Sequence, residues 1–139
     1  MVEVSNLMPI RLMIVDDHEL VREGLRLAFE GTEIAVVGEA ADGVEAFGLL
    51  ANEQVDVALV DIQMPTADGF QFLEMLRAAG LQVPVVLMHS VRDGMQAARR
   101  CQSLGAKGLL HKSEDQEHLI NAVRKVHAGE ELWSGRDEP

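Results

Sequence analysis

Four charged residues of this sequence follow short apolar segments, and their types could bind a metal ion and a phosphoryl group. Asp16 and Asp17 come directly after one segment, Asp61 directly after a second, and Lys112 follows Gly108-Leu-Leu-His111. A charge at the end of an apolar strand is costly unless it is solvated, paired or bound to a cation. Three carboxylates and one lysine at a common sheet edge would therefore suit a phosphoryl group and its metal ion.

Magnesium is the metal that this set of side chains favours, since Mg²⁺ prefers oxygen ligands and is typically held by one or two carboxylates and a phosphate oxygen. Asp16 and Asp17 can supply carboxylates directly or through water. Asp61 can bind the metal or attack phosphorus, because a carboxylate can form an aspartyl-phosphate. Phosphoryl transfer needs mainly positioning and charge neutralisation, to which Lys112 and the metal would contribute. Each residue alone has an ordinary explanation, and only their joint occurrence favours a site.

The segments around these residues alternate between strand-like and helix-like patterns. The strand-like runs are continuous rather than alternating, as in strands that helices cover on both faces, and apolar residues recur at helical spacing between them. This alternation predicts an α/β fold with one doubly wound, five-stranded parallel sheet of order 2-1-3-4-5 and five helices, as in flavodoxin. The predicted strands are Leu12–Val15, Ile34–Val37, Val55–Val60, Val83–Met88 and Gly108–Leu110.

The predicted strand order and the positions of the charged residues indicate the same binding site at the edge of this predicted sheet. Ligands of such sheets bind beyond the carboxyl ends of the strands, where the strand order reverses. For the order 2-1-3-4-5 that point lies between strands 1 and 3, which end at Asp16-Asp17 and at Asp61.

Short polar residues and glycines predict where several helices begin and end. A short acceptor followed three residues later by Glu or Gln predicts a helix start at each of three pairs: Asp42 with Glu45, Asp93 with Gln96, and Ser113 with Gln116. Glycines that follow helical segments can adopt the left-handed conformation that closes a helix, and these are Gly80, Gly105 and Gly129.

Composition limits the class of protein. The 139 residues suit one domain, predicted at 9–133, with flexible ends at 1–8 and 134–139, the latter the start of a linker. The net charge of −11 argues against direct nucleic-acid binding. No apolar run is long enough to span a membrane, no signal peptide is recognisable, and the lone Cys101 excludes an internal disulfide. These features predict a soluble cytoplasmic protein without a membrane partner.

Four motifs together resemble a two-component response regulator receiver domain, over roughly residues 10–132. They are Ile-Val-Asp16-Asp17-His18, then Ala-Leu-Val-Asp61-Ile-Gln-Met64-Pro65, then Asp68-Gly69, and finally Gly105-Ala-Lys-Gly108-Leu-Leu-His-Lys112. The ending, from Ala122 to Trp133, is similar to the subgroup joined to LuxR/NarL-like helix-turn-helix domains. The resemblance therefore implies a receiver-like fold, and a linker and a DNA-binding domain in the full-length protein.

The resemblance also implies a role for each matching residue. Asp61 is the phosphoacceptor, which takes a phosphoryl group from a histidine kinase. Asp16, Asp17 and Asp61 bind Mg²⁺ together with the backbone carbonyl of Gln63. Lys112 pairs with Asp61 or with the phosphoryl oxygens. The domain is then a signalling module that catalyses only its own phosphorylation and dephosphorylation, and a homodimer is one form in which such modules act.

Two positions depart from the usual pattern of the family. Where strand 4 usually ends in Thr or Ser, counting from Pro84 gives His89, and Ser90 follows it. Leu109 occupies the position of the usual Tyr or Phe, three residues before the lysine. We expect an altered relay, with three options: an imidazolium at 89 donates to the phosphoryl group, the ring crowds the site, or Ser90 supplies the hydroxyl. A His89 turned outward to solvent is the plain alternative.

Other functions fit the sequence less well. A phosphorylation-independent pseudo-receiver is the main alternative. His89 and Leu109 argue for it, whereas the intact acidic residues and Lys112 argue against it. A phosphatase with a nucleophilic aspartate would need an Asp-x-Asp pattern, whereas this chain has Asp16-Asp17. A flavodoxin-like cofactor domain would need a Gly-rich phosphate loop after strand 1, where the acidic pair would instead repel a phosphate.

Overall fold

Strands and helices alternate along the whole domain. A computed structural model describes residues 8–91 and 94–133. The strands are β1 (Ile10–Val15), β2 (Ile34–Ala40), β3 (Val57–Val60), β4 (Val85–Ser90), β5 (Gly108–His111) and β6 (Leu132–Trp133). The helices are α1 (Glu19–Phe29), α2 (Gly43–Leu49), α3 (Gly69–Ala78), α4 (Met95–Ser103) and α5 (Gln116–His127). None of the helices in these two ranges is long and apolar enough to cross a membrane.

The strands form one parallel sheet of order β2-β1-β3-β4-β5-β6. The predicted fold class and the order of the first five strands are confirmed. The sixth strand was not predicted, because two residues are too few to show a strand period. Leu132 belongs to the sheet because its N–H donates to the carbonyl of Lys107 at 2.8 Å, and Trp133 pairs with Leu109.

Each strand divides its side chains between two apolar cores. Met13 and Val15 of β1 belong to the core beneath α2, α3 and α4, while Leu12 and Ile14 belong to the core beneath α1 and α5. Successive residues of a strand point to opposite faces, and helices cover both, so all four are buried. The continuous apolar runs of the sequence follow from this arrangement.

All five predicted strands have somewhat different bounds in the structure, since β1 begins earlier and β2 and β5 end later than predicted. β3 begins at Val57 rather than Val55. β4 runs from Val85 to Ser90 rather than from Val83 to Met88, so His89 and Ser90 lie inside the strand. The difference in β4 matters for the site, because it fixes the opposite faces on which these two residues lie.

The helix-start predictions have mixed outcomes. Asp42 caps α2 as predicted, by accepting a hydrogen bond from the N–H of Glu45 at 2.9 Å. The predicted start at Ser113 is wrong, because α5 is capped by Asp115, which accepts from the N–H of His118 at 2.8 Å. Asp93 lies outside the described residues. The three predicted closing glycines, Gly80, Gly105 and Gly129, all have positive φ.

Gly69 allows α3 to begin against the end of β3. Its N–H donates to the carbonyl of Ile62 at 2.9 Å. A Cβ atom on Gly69 would lie 2.5 Å from the carbonyl oxygen of Asp61 and 2.7 Å from the Cε of Met88. The absence of a side chain here therefore sets the path of the loop that follows Asp61.

We predict that Gly69→Ala lowers the free energy of unfolding by roughly 2 kcal/mol, because the added methyl group overpacks against backbone. Gly24→Ala is the matched control, since Gly24 lies inside α1 and a Cβ atom added there would have no neighbour within 4 Å. That control should be more stable by about 0.5–1 kcal/mol, as alanine favours a helix interior. Urea unfolding of both variants measures the difference, and equal effects would contradict the close approach.

Candidate functional site

Backbone hydrogen bonds fix the residues that follow three of the strands. The N–H of Asp16 donates to the carbonyl of the last residue of β2 at 3.0 Å. The N–H of Asp61 donates to the carbonyl of the last residue of β1 at 2.9 Å. The N–H of Lys112 donates to the carbonyl of the last residue of β4 at 2.9 Å. Each residue thus takes the next hydrogen bond of the parallel sheet after its own strand ends. The carboxyl ends of β1, β3 and β5 therefore present these side chains at one edge.

Lys112 bridges two of the carboxylates. Its Nζ lies 2.7 Å from Oδ2 of Asp16 and 3.2 Å from Oδ2 of Asp61, although the residue starts three strands from the first and two from the second. The side chains of Asp16 and Asp61 are only 2% and 6% exposed, and that of Lys112 is 18% exposed. One ammonium group thus neutralises part of two buried negative charges.

The two buried carboxyl groups have pKa values displaced in opposite directions. Burial alone raises the pKa of Asp16, but the hydrogen bonds from Lys112 and from the backbone of His18 outweigh it and hold this pKa below its ordinary value. Burial also raises the pKa of Asp61, and the charge of Asp16 adds to it, so the pKa of Asp61 stays above its ordinary value despite Lys112. The lysine itself has a raised pKa, because the two carboxylates outweigh its burial.

An unpartnered oxygen lies beside this bridge. Asp17 Oδ1 is buried and is the one such side-chain atom without a hydrogen-bond partner in the described part of the chain. Asp16, Asp17, His18 and Asp61 can each offer a ligand atom, and these atoms all lie within 4.8 Å of one another. Carboxylate oxygens at this spacing, one of them lacking a hydrogen bond, fit a hard divalent cation such as Mg²⁺.

Arginine side chains hold the loop between β1 and α1. Arg22 donates from Nη1 to the backbone carbonyl of Asp16 at 2.6 Å and from Nε to Glu39 at 3.2 Å. Arg26 donates to the same carboxylate of Glu39 at 2.6 Å and 2.7 Å. The acidic loop is thus tied to both α1 and β2, which limits the movement of its carboxylates.

Gln63 lies in the loop after β3, next to the acidic cluster. Its side chain is exposed, and its backbone N–H donates to Oδ1 of Asp61 at 3.3 Å. Further along the loop, Asp68 and Gln71 form a reciprocal capping box at the start of α3. That spacing, Asp followed three residues later by Gln, is present in the sequence and could have predicted this helix start.

His89 and Ser90 are both buried, with 7% and 0% exposure. As neighbours in a strand they point to opposite faces. Ser90 lies on the same face of β4 as Met88, and Met88 belongs to the same core as Leu109. His89 lies on the same face as Leu87, which belongs to the other core. The outward-turned His89 is therefore wrong. Ser90 is the hydroxyl-bearing residue on the face of Leu109.

The imidazolium considered for His89 is also wrong at neutral pH. Burial lowers the pKa of His89 to about 4, and the charge of Lys112 lowers it further than the charge of Asp16 raises it. The ring is therefore neutral near pH 7, and it can donate or accept a hydrogen bond without carrying charge.

His18 is the residue of the cluster to which the sequence assigned no role. Its Nδ1 lies 3.3 Å from an oxygen of Asp16 and 3.3 Å from an oxygen of Asp17. The sequence shows the histidine directly after the acidic pair, but this spacing alone does not decide where its side chain turns. That direction depends on the backbone at the start of α1.

The fold and the site together define a parallel α/β domain with an acidic, lysine-bridged site at the carboxyl ends of its central strands. Residues 12–124 match the family model of the response regulator receiver domain. The chain belongs to this family. Receiver domains are signalling domains that respond to phosphorylation, and the pseudo-receiver alternative is not favoured.

Similar proteins place the chain in the NarL/LuxR subgroup. The chain is 36% identical to the nitrate/nitrite response regulator protein NarP of Escherichia coli over 131 residues, which are 92% of this chain and 60% of NarP. A LuxR-family two-component response regulator from Aurantimonas sp. SI85-9A1 is 32% identical, with a TM-score of 0.82 and 89% of each chain covered.

A second similar solved structure was determined with BeF₃⁻ and Mg²⁺. It is the complex of CheX, CheY, BeF₃⁻ and Mg²⁺ from Borrelia burgdorferi, whose matched chain is 26% identical, with a TM-score of 0.80, covering 90% of this chain and 94% of that one. The chain spans about six-tenths of the length of the curated transcription regulators it matches, such as NarP.

We predict that Asp61→Asn raises the free energy of unfolding at pH 7 by about 1–2 kcal/mol, because it removes a buried charge next to that of Asp16. The pKa of Asp61 is raised in the folded protein, so its ionisation costs stability as the pH rises through that pKa. The advantage of the variant should therefore shrink as the pH is lowered through the same range. Urea unfolding at several pH values measures it.

Glu53→Gln is the control for this prediction, since Glu53 is exposed and the substitution removes the same charge from an acidic protein. Its stability should change by less than about 0.5 kcal/mol. A loss of stability in Asp61→Asn at pH 7 would show that the attraction to Lys112 exceeds the cost of burying the charge.

Proposed function

We propose that Asp61 accepts a phosphoryl group from a histidine kinase. The observation that carries this proposal is the position of its carboxylate, which is buried beside Asp16 and 3.2 Å from the Nζ of Lys112. In the transfer, an Asp61 oxygen forms a bond to phosphorus as the bond between phosphorus and the kinase histidine breaks, and the electron pair leaves with the imidazole. The domain is then a catalyst only of its own phosphorylation and dephosphorylation.

Asp16, Asp17, Asp61 and the backbone carbonyl of Gln63 would hold Mg²⁺ in this proposal. The unpartnered Oδ1 of Asp17 and the close spacing of the carboxylates support it. When bound, the ion supplies positive charge that stabilises the phosphoryl oxygens during transfer. The similar CheY structure from Borrelia burgdorferi was determined with BeF₃⁻ and Mg²⁺, which supports the same choice of ion here.

Lys112 supplies the second positive charge. Its ammonium group is shared between two carboxylates before phosphorylation, and it lies closer to Asp16 than to Asp61. A phosphoryl group on Asp61 brings additional negative charge within reach of the same ammonium. Lys112 can therefore follow the charge by a small movement of a flexible side chain.

We predict that incubation with acetyl phosphate and Mg²⁺ adds the mass of one phosphoryl group to the wild-type chain and none to Asp61→Asn. The amide of asparagine is not a nucleophile for phosphorus. Intact mass spectrometry at acidic pH measures the adduct. Asp68→Asn is the matched control, since asparagine also caps a helix and Asp68 lies in the same loop.

The control variant should gain the same mass as the wild type. A phosphoryl group on Asp61→Asn would place the acceptor elsewhere, and a wild-type chain that gains no mass while its fold is intact would favour the pseudo-receiver.

Ser90 is our proposal for the hydroxyl that contacts the phosphoryl group and moves on activation. It lies at the end of β4, on the sheet face of Leu109, and Leu109 pairs with Trp133 of β6. Leu109 and Trp133 both contact the same core. A large aromatic ring is therefore present beside the usual aromatic position, although it comes from another strand. We propose that movement at Ser90 reaches Trp133 through Leu109, while the neutral His89 faces the other core.

We predict that beryllofluoride with Mg²⁺ produces a saturable change in tryptophan fluorescence, and that Ser90→Ala reduces its amplitude by at least about half while leaving a folded protein. Trp133 is the sole tryptophan and the chain contains no tyrosine, so the signal reports one site. Ser103→Ala, at an exposed serine that ends α4, is the control and should keep the full amplitude. An unchanged amplitude in Ser90→Ala would contradict the route through Ser90.

We propose that the domain controls an output domain in the full-length protein. Similarity to NarP and to a LuxR-family regulator supports control of transcription through a DNA-binding domain in the full-length protein. The net charge of −11 argues against nucleic-acid binding by the receiver domain itself. We also propose a cytoplasmic location and no direct contact of this domain with a membrane. Homodimerisation is tested by sedimentation with and without beryllofluoride.

A further inference from the structure

His18 is held beside the acidic cluster by its own backbone. It precedes α1 with an extended conformation (φ −94°, ψ 113°), and its side chain does not cap the helix. Instead its N–H donates to Oδ1 of Asp16 at 2.9 Å, and its ring turns towards the carboxylates. Nδ1 then lies 3.3 Å from Oδ1 of Asp16 and 3.3 Å from Oδ1 of Asp17.

These distances are those of atoms that could share one ion. Ligand atoms at about 2.1 Å from an octahedral ion lie roughly 3.0 Å apart when adjacent and 4.2 Å apart when opposite. The ligand atoms of Asp16, Asp17, His18 and Asp61 lie within 4.8 Å of one another, which small side-chain movements would reduce to that range. The ring is 66% exposed and can therefore adjust without disturbing the core.

We propose that His18 is a nitrogen ligand of this site and that it directs the site towards first-row transition-metal ions. Imidazole nitrogen binds ions such as Ni²⁺ and Zn²⁺ strongly, whereas Mg²⁺ prefers oxygen and retains its waters. The carboxylates would then determine Mg²⁺ affinity, and His18 would add affinity for the transition metals alone. This inference rests on the proposed metal site and adds a residue and a class of ligand to it.

The test compares NiCl₂ and MgCl₂ binding to the whole chain by isothermal titration calorimetry, without any phosphodonor. Ni²⁺ is the probe because it is octahedral, like Mg²⁺, but accepts nitrogen readily. We expect His18→Gln to weaken Ni²⁺ binding about tenfold or more and to change Mg²⁺ binding less than about twofold. Thermal unfolding of each variant shows that it is folded before titration.

His118→Gln is the matched control. His118 also lies beside carboxylates, with Nδ1 3.0 Å from Asp115 and 4.0 Å from Glu114, but on the exposed surface of α5 and away from the acidic cluster. The same substitution there should leave Ni²⁺ affinity unchanged. A Ni²⁺ affinity that falls in His118→Gln and not in His18→Gln would overturn the proposal.

The remaining outcomes separate this inference from the proposed function. If His18→Gln strengthens Ni²⁺ and Mg²⁺ binding alike, His18 acts only as a competing cation, and the inference fails while the metal site stands. If Asp61→Asn and Asp17→Asn both leave Mg²⁺ binding intact, the proposed metal site itself fails. If Mg²⁺ binding depends on the aspartates and Ni²⁺ binding is insensitive to His18→Gln, the inference alone is overturned.

Discussion

The contact between one ammonium group and two buried carboxylates is the constraint on which the rest of this structure depends. Asp16 and Asp61 are almost fully buried, and Lys112 lies within 3.2 Å of both. Burial of two like charges is tolerable only if a partner neutralises them and if each atom is held in place. The backbone hydrogen bonds that continue beyond β1, β3 and β5 meet the second condition, since they fix all three residues relative to the sheet.

The same contact neutralises only part of the negative charge of the site. The remaining negative charge is what would allow the site to bind a cation. The site has three aspartates, Lys112 contacts two of them, and one oxygen of Asp17 has no hydrogen-bond partner. A divalent cation would supply the missing charge, and a phosphoryl group would redistribute it. Gly69 contributes by letting the start of α3 approach the carbonyl of Asp61, so the loop that shapes the site stays close to β3. Arg22 holds the loop after β1, because it donates to the carbonyl of Asp16 and to the carboxylate of Glu39.

Beyond the site, the structure changes how the unusual residues of this chain are understood. His89 occupies a position where a hydroxyl is usual, but it is buried and neutral near pH 7, and it lies on the strand face of Leu87, a residue of the core beneath α1 and α5. Ser90 lies on the sheet face of Leu109. Leu109 looked like the loss of an aromatic ring, yet β6 brings Trp133 alongside it. The acidic centre keeps the residues by which the sequence resembles the family, while His89 and Leu109 depart from that pattern.

The sequence by itself determined the fold class, the order of the first five strands, the closing glycines, and the placement of Asp16, Asp17, Asp61 and Lys112 at strand ends. Those features are encoded locally, by the period of apolar residues and by residue type. Only the tertiary structure decided that Lys112 lies nearer to Asp16, that Asp115 rather than Ser113 caps α5, that His18 turns towards the carboxylates, and that two residues form β6. The position of Lys112 and the formation of β6 depend on contacts between strands distant in sequence, while the cap of α5 and the direction of His18 depend on the backbone conformation that the fold imposes. A pattern of residue types carries no information about such contacts or about that backbone conformation.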